Sequence, residues 1–317
     1  MSATATVPTP TSAPVSSTFR QPSRGVLIAR YMRRNKSLAV GLLIVLFLTL
    51  FTVVGLLTIK TKNAYPLSVR TKQPPSAQFP LGTDWYGRDL TAAMVVGLWQ
   101  TALIGLLAGG LGTAIGVVLG FISAYYGGAI DRAITSICQV LQPIPAFLIQ
   151  VIIAGSIDKR ELDRYLIPGL SQGVLIMAGV VVLLAWMGPT LVIRSQVLSM
   201  KERMFVNVAK LSGMSNLEII FKELLPNLVP FIAASLVGAV LSALFISFGL
   251  SALGLGPLRE PLMGNIIYFA NQQSAMFNGW WWWPLWPALA SLLIFAALTL
   301  INVGLDEVAN PRVRRSE

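Results

Sequence analysis

The chain has 317 residues, of which 55% are hydrophobic and 12% are charged, with a mean hydropathy of +0.70. Soluble domains carry about 25% charged residues, so this composition excludes an ordinary water-soluble globule and indicates a membrane protein. The chain has no histidine and one cysteine, Cys138, which excludes imidazole catalysis, internal disulfides and Cys/His metal cages. It also lacks the G-x-x-x-x-G-K-[ST] loop of P-loop nucleotide sites. We expect a membrane protein that is not itself an enzyme.

The charge is strongly basic, with 24 lysines and arginines against 13 acidic residues and a net charge of +11. The cations lie in the connections between apolar runs and form no basic helix, so we expect no nucleic-acid partner. Before the first apolar run the charges are all positive: Arg20, Arg24, Arg30, Arg33, Arg34 and Lys36. The positive-inside rule therefore places the N-terminus in the cytoplasm, with residues 1–23 as a disordered tail.

Apolar runs of about 20 residues, the length that crosses a bilayer, occur six times. They cover residues 38–59, 95–125, 133–157, 173–197, 228–253 and 281–305. Their cores contain no charged residue, which argues against an ion-coupled carrier. We expect an all-α polytopic fold of six transmembrane helices with both termini in the cytoplasm. Residues 24–94 would form an N-terminal segment with the first span and an outer loop, residues 95–305 a core of five spans, and residues 306–317 a cytoplasmic tail.

The second span carries a stripe of glycines that share one helical face, at Gly105, Gly109, Gly112, Gly116 and Gly120. Small residues on one face let another helix approach closely. We interpret the stripe as a helix-packing face. The alternative is that part of it lines a translocation path or a subunit interface.

The third span contains Gln139 and Gln142 next to Pro143 and Pro145. Proline removes a helical hydrogen bond, and the freed carbonyl is tolerated where it faces protein or a water-filled cavity. The sequence therefore predicts a kink, which either packs against other spans or lines a pathway.

Five tryptophans lie at the outer start of the sixth span, at Trp280, Trp281, Trp282, Trp283 and Trp286. Tryptophan prefers the headgroup level of a bilayer, so we interpret the cluster as an interfacial anchor. A stacking platform for a sugar ring is the alternative.

The loop between the fourth and fifth spans predicts a short cytoplasmic helix. Its apolar residues recur on one helical face, at Met204, Phe205, Val208 and Leu211. Gly213 can end this helix in a left-handed conformation, and the residues from Ser215 to Glu218 read as a capping box that opens a second helix. Pro226 is expected to break or bend that second helix just before the membrane. The apolar face must lie on lipid headgroups or in a groove of a partner protein.

The same loop resembles the EAA loop of ABC-importer membrane subunits, in which E-A-A-x-x-x-G is followed about a dozen residues later by L-P. Ala209, Gly213, Leu225 and Pro226 match that pattern, while Asn207 replaces the usual glutamate and Val208 replaces the first alanine.

Further segments, in the same order as in that family, extend the resemblance over residues 24–315. They are Arg33-Arg-Asn-Lys, Leu81-Gly-Thr-Asp-Trp-Tyr-Gly-Arg-Asp89, Tyr126-Gly-Gly-Ala-Ile-Asp131-Arg132, the tryptophan run, and Asp306 with Asn310-Pro311-Arg312. The chain thus resembles the dipeptide/oligopeptide/nickel-type permeases, which have the type I ABC importer fold.

The resemblance implies a set of partners in a prokaryotic inner or plasma membrane. A second, similar permease subunit would pair with the chain as a heterodimer, two ATP-binding subunits would bind ATP and Mg²⁺, and an extracytoplasmic solute-binding protein would deliver the solute. The chain itself would hold no cofactor or metal and would be surrounded by membrane lipid. By the same resemblance, the residues of the ATPase-coupling loop are Phe205, Asn207, Val208, Ala209, Gly213, Leu225 and Pro226.

The solute and its binding residues are not identified by this pattern. The resemblance favours dipeptides or oligopeptides, with oligosaccharides or nickel chelates as alternatives. A different class, an ATP-independent channel or secondary carrier, would work without ATPase subunits.

Overall fold

The computed structural model describes residues 33–162, 165–167 and 170–309. The expected tail at 1–23, the basic residues before Arg33 and the motif at 310–312 lie outside these residues. The described chain is mostly helical, which confirms the all-α class. One short antiparallel pair of strands, β1 (Tyr165–Ile167) and β2 (Leu170–Ser171), lies in the connection after the third span.

The helices follow one another with short connections. They are α1 (Lys36–Thr58), α2 (Leu90–Tyr126), α3 (Gly128–Leu141), α4 (Ala146–Ser156), α5 (Lys159–Leu162), α6 (Gln172–Ala185), α7 (Met187–Lys201), α8 (Met204–Leu211), α9 (Asn216–Glu218), α10 (Leu225–Ala252), α11 (Met263–Gln272) and α12 (Trp282–Ala309). A single 3-10 turn, Thr61–Ala64, follows α1, and a π-helical stretch, Ile219–Leu224, joins α9 to α10.

Four helices of the described chain are long and apolar enough to cross a membrane, and two bent pairs raise the number to six if each pair is one span. The first span, α1, has 23 residues and no charge after Lys36. Its length is about 34 Å at about 1.5 Å per residue, enough for a hydrocarbon core of about 30 Å. The Asn35 side chain begins α1 by accepting the Leu38 N–H at 3.1 Å, and Asp89 begins α2 by accepting the Thr91 N–H at 2.8 Å.

The expected third span is not one continuous helix. Helices α3 and α4 meet at an angle of 81° across Gln142–Pro145. Pro143 and Pro145 lack the N–H that would continue the helix, and each disfavours helical geometry in the residue before it. The predicted kink is therefore a full break. Gln139 and Gln142 are exposed next to it.

The expected fourth span is also bent, which the sequence analysis did not predict. Helices α6 and α7 form an angle of 41° at Trp186. The ring of a proline inside a helix clashes with the carbonyl four residues earlier. Pro189 stands in that relation to Ala185, the last residue of α6, so the bend has a local steric cause.

Pro226 does not break the second helix of the loop before the membrane, because one helix runs from Asn216 to Ala252. Pro226 lies in the first turn of α10, directly after the π-helical stretch. In that stretch Leu225 donates its N–H to the carbonyl of Ile220, five residues earlier. The wider turn and the first-turn position accommodate a residue that has no N–H to donate.

The glycines of the second span lie where neighbouring helices come closest to α2. A Cβ added to Gly109 would lie 2.6 Å from the backbone of Val240 in α10, and one at Gly105 would lie 2.5 Å from the Leu244 side chain. Gly112, Gly116 and Gly120 face the bent pair of α6 and α7 instead, at Ala185, Pro189 and Thr190. Glycine at these positions permits the helix backbones to approach.

The 60–89 loop packs against the start of α12, and the tryptophans belong to that contact. Trp283 is fully buried, and the Trp282 indole N–H donates to the Thr83 carbonyl at 3.2 Å. Trp286 donates to the Leu81 carbonyl at 3.1 Å. The bonds from Trp282 and Trp286 hold the 60–89 loop against α12. The buried Trp282 and Trp283 are therefore not part of the expected interfacial anchor, whereas Trp281 is half exposed.

Candidate functional site

The cytoplasmic loop predicted from the sequence forms a helix, a glycine turn and a second helix. Helix α8 spans Met204–Leu211, and Gly213 follows with a φ of +79°. Ser215 and Glu218 form the expected capping box: the Ser215 hydroxyl accepts the Glu218 N–H, and the Glu218 carboxylate accepts the Ser215 N–H at 3.0 Å. The C-terminal end of α8 and the N-terminal end of α9 are thus defined by interactions between residues close in the sequence.

Helix α8 packs on the protein through a different face from the one that its apolar residues occupy. Val206 and Ala209 are buried, whereas Met204, Val208 and Leu211 are exposed, Leu211 by 89%. The apolar stripe therefore faces away from the chain. Further exposed apolar side chains follow it at Leu217 and Phe221, and Asn207 and Lys210 are exposed as well.

The buried face of α8 rests on a hydrophobic cluster formed by three spans. We call this the cytoplasmic cluster: Phe121 and Ala124 of α2, Ile193, Val197 and Met200 of α7, Val206 and Ala209 of α8, and Ile219, Leu224 and Leu228 at the start of the fifth span. Leu225 is half-buried beside it, as is Phe205, and Pro226 is exposed. The buried face of α8 is therefore in direct packing contact with the ends of three spans.

Polar contacts also link the helix ends around the cytoplasmic cluster. Arg194 of α7 and Asp131 of α3 form a bidentate ion pair, with Nε–Oδ1 at 2.5 Å and Nη2–Oδ2 at 2.6 Å. Lys201 donates to the Ala124 carbonyl at 3.1 Å, and the Tyr125 hydroxyl donates to the Asn216 side chain at 2.8 Å. The ends of α2, α7 and α9 are thereby linked beside the loop.

A cavity of about 600 Å³ lies among the spans above this region. It is lined by α4, α6, α7, α10 and α12, and none of its lining residues is ionisable: Ala146, Gln150, Val181, Leu184, Ala185, Gly188, Pro189, Val192, Phe231, Ala234, Ser235, Gly238, Ala239, Ser242, Ala243, Ile246 and Asn302. Its polar groups come from amides and hydroxyls. The Gln150 amide donates to the Val180 and Val181 carbonyls at 3.4 and 3.3 Å, and its Oε1 has no partner.

The sequence analysis did not identify the cavity residues. Gln150 lies in an apolar run, and only the break at Pro143 and Pro145 turns its helix toward α6. The polarity of Gln150 within that run is the one available signal. Gln139 and Gln142, which the sequence placed at a possible pathway, do not line the cavity.

A second group of polar residues is buried where the 60–89 loop meets α2 and the segment before α11. Glu260 is fully buried, and its Oε2 accepts the Tyr65 hydroxyl at 3.2 Å and the Gln100 amide. Burial and the nearby Glu260 raise the pKa of Tyr65 to about 12. These bonds join the 60–89 loop, α2 and the segment before α11.

Asp84 and Arg88 form a buried pair in the 60–89 loop, with Arg88 Nε 3.8 Å from Asp84 Oδ2. Burial raises the pKa of Asp84 to about 6, and the Arg88 charge and its backbone N–H, which Asp84 accepts at 2.8 Å, oppose the shift. Burial likewise lowers the pKa of Arg88. Loss of hydration therefore outweighs pairing for both groups.

The fold and site define a class: a multi-pass membrane protein with a cavity among its spans that no ionisable residue lines, and a helical loop that packs against the ends of three spans. Residues 116–315 match the family described as the binding-protein-dependent transport system inner membrane component. The match covers more than half of the chain, which therefore belongs to this family. It is a permease of binding-protein-dependent transport.

Several curated proteins are similar over nearly the whole chain. The dipeptide transport system permease protein DppC of Bacillus subtilis is 29% identical over 286 residues, covering 90% of this chain and 85% of the relative. DppC of Alkalihalophilus pseudofirmus is 29% identical over 314 residues, covering 97% and 96%. The oligopeptide transport system permease protein OppC of Mycobacterium bovis is 28% identical over 296 residues, covering 92% and 96%.

Proposed function

We propose that this chain is a transmembrane subunit of an ATP-driven importer that moves peptides from an extracytoplasmic binding protein into the cytoplasm. The observation that carries the proposal is the two-faced helix α8. Val206 and Ala209 bind it to the cytoplasmic cluster, while Met204, Val208 and Leu211 form an exposed apolar stripe. An exposed apolar stripe beside packed spans is a surface for a partner that moves them.

The partners follow from this role. Two ATP-binding subunits hold ATP and Mg²⁺, and one of them binds α8 in a cleft. A second, homologous permease subunit completes the pathway as a heterodimer, and a solute-binding protein docks on the outer segments. The chain has both termini in the cytoplasm of a prokaryotic cell and contributes no catalytic residue of its own.

The residues of the coupling loop divide into three groups in this proposal. Val208 and Asn207 lie on or beside the contact surface. Phe205 and Ala209 bind α8 to the spans beneath it. Gly213, Leu225 and Pro226 set the path of the chain from α8 into the fifth span. The capped ends keep the loop rigid, so displacement is transmitted rather than absorbed.

The cavity is our candidate for this subunit's half of the translocation pathway. Amide and hydroxyl groups without fixed charge bind many peptides weakly and select none strongly, which suits a path whose selectivity comes from a binding protein. Peptides are favoured over oligosaccharides and nickel chelates because the similar permeases are named for dipeptide and oligopeptide transport.

The test is transport by the complete complex in proteoliposomes, with its binding protein and a peptide pool outside and ATP inside. We expect ATP-dependent peptide uptake and peptide-stimulated ATP hydrolysis, and no stimulation by an oligosaccharide pool. Stimulation by oligosaccharides alone would overturn the substrate class. Solute movement by the purified chain without ATPase subunits would overturn the proposal itself.

The docking surface is tested by Leu211→Ser, which removes the most exposed apolar side chain of the stripe. We expect less ATPase subunit to co-purify while the fold is unchanged, because the Leu211 side chain is 89% exposed and buries little surface within the chain. Phe277→Ser is the matched control, since Phe277 is 97% exposed in an outer segment. Equal co-purification from both variants would contradict the assigned surface.

A further inference from the structure

The first half of the broken span, α3, is weakly held by apolar packing. Within Gly128–Leu141 only Cys138 is buried. Gly127 and Gly128 join α3 to α2 with φ values of +66° and +60°, and no atom lies within 4 Å of a Cβ built on either. The opposite end of α3 is the break at Pro143 and Pro145, so α3 is a short helix between the glycine joint, Gly127 and Gly128, and that break.

The Asp131–Arg194 ion pair is the strong contact that crosses from this helix to α7. Both carboxylate oxygens are engaged by the guanidinium, and the Ser123 hydroxyl of α2 donates to Oδ1 as well. Bidentate arginine–carboxylate pairs fix orientation as well as distance. The pair is about one-quarter exposed, so solvent screens it only in part.

Arg194 lies on α7, which extends from the wall of the cavity to the coupling loop. Val192, two residues before it, lines the cavity, and α7 leads directly into α8. On the other side of the pair, α3 leads through the break into α4, where Ala146 and Gln150 line the same cavity. The ion pair thus links α7, which forms one wall of the cavity, to α3, which leads through the break into the α4 wall.

We propose that Asp131 and Arg194 are positioning residues for transport: their ion pair makes α3 follow α7, so that movement of the coupling loop shifts the α4 wall of the cavity together with the α7 wall. This inference rests on the proposed function. Without the pair, α7 moves with the coupling loop and α3 stays behind at its glycine joint, so ATP is hydrolysed without a matching change of the cavity.

The experiment measures peptide transported per ATP hydrolysed by the reconstituted complex, for wild type, Asp131→Asn, Arg194→Gln and the double variant. We expect each single variant to lower this ratio by about 5-fold or more, the lower end of coupling effects between sites. The double variant should be no worse than either single one, because the residues act as one unit. Additive losses, or unchanged ratios in both single variants, would overturn the inference.

Lys222→Gln is the matched control, because it removes an ion pair whose two residues lie within one helix. Lys222 bonds Glu218 at 3.0 Å, four residues earlier, and both side chains are exposed. We expect its ratio to equal that of wild type. If Asp131→Asn does not assemble, Arg194→Gln and the double variant supply the same comparison, since neither leaves an unpaired arginine.

A distance measurement separates positioning from simple support of the fold. Spin labels at Val140→Cys in α3 and Glu202→Cys after α7, in a Cys138→Ser background, report whether the two helices move together. We expect one narrow distance in nucleotide-free and ATP-trapped wild-type complex, and a broadened or shifted distance after Asp131→Asn in the trapped state. An unchanged distance would overturn the inference. Failure of wild-type transport would instead refute the proposed function.

Discussion

At the scale of single residues, Gly213 sets the angle between α8 and the helix that follows. Its φ of +79° is left-handed, and no atom lies within 4 Å of a Cβ built there. Any effect of substitution therefore comes from the backbone conformation and not from a clash. In this conformation a residue other than glycine lowers the free energy of unfolding by about 1–2 kcal/mol, and asparagine lowers it by less.

We therefore predict that Gly213→Val lowers peptide transported per ATP, because the turn relaxes and α8 shifts on the cytoplasmic cluster. Gly213→Asn should keep most of the wild-type ratio, since asparagine adopts the left-handed conformation readily. Both variants are measured in the reconstituted complex. Equal ratios for valine and asparagine would show that the left-handed turn does not matter for coupling.

Asp84 predicts a pH dependence of stability. Its folded pKa of about 6 lies above its ordinary value of 3.8, so between these values the folded protein binds more protons than the unfolded chain. The free energy of unfolding therefore falls as the pH rises from about 4 to about 6, by up to about 3 kcal/mol. Asp84→Asn should remove this dependence.

The comparison is the slope of thermal unfolding midpoint against pH for wild type and Asp84→Asn in the same detergent. The slope is the relevant quantity, because the variant also leaves Arg88 without its partner and so lowers stability at every pH. Glu202→Gln, at an exposed carboxylate, serves as the control. A slope that Asp84→Asn leaves unchanged would assign the pH dependence to other groups.

Residue patterns with short sequence separation were predictable. The capping box of Ser215 and Glu218 and the left-handed Gly213 involve neighbours along the chain, so their chemistry is visible in the sequence. The tryptophans behave differently. Trp282 and Trp286 bond carbonyls about 200 residues away, and hydropathy alone cannot distinguish such a buried contact from a lipid interface.

At the scale of helices, apolar length predicted where the spans lie but not whether each is straight. Two prolines within three residues, Pro143 and Pro145, indicate the break in the third span. The bend at Trp186 depends on Pro189 against Ala185, and a lone proline near a span's middle is often accommodated with less distortion. Hydrophobic periodicity also could not predict which face of α8 is buried, because that face is determined by the spans that lie beneath Val206 and Ala209.

The glycine stripe allows a matched pair of substitutions on one helix. Gly109→Ala places a Cβ 2.6 Å from the Val240 backbone, so α2 and α10 must separate; we predict a loss of about 1–3 kcal/mol. Gly110→Ala meets no atom within 4 Å and gains helix propensity of up to about 1 kcal/mol. Unfolding in detergent measures both. A tolerated Gly109→Ala would refute the close approach of the two helices.

At the scale of the whole molecule, the transport proposal depends on the loop and the outer segments lying on opposite sides of the membrane. One span, α10, separates Glu202 from Phe277 along the chain, apart from the short helices of the loop and of the outer segment. Its 28 residues extend about 42 Å, enough to cross a bilayer. We therefore expect the two positions to face different compartments, with the loop on the inside, as the basic N-terminal region predicts.

This arrangement is tested with single cysteines in a Cys138→Ser background. Glu202 and Phe277 are both exposed, so each accepts a membrane-impermeant maleimide from its own side. We predict that Phe277→Cys is labelled on intact spheroplasts and that Glu202→Cys is labelled only after permeabilisation. The reverse pattern would invert the membrane orientation and remove α8 from reach of any cytoplasmic ATPase. Labelling of both from one side would mean that α10 does not cross, and the cavity beside it would not be a pathway.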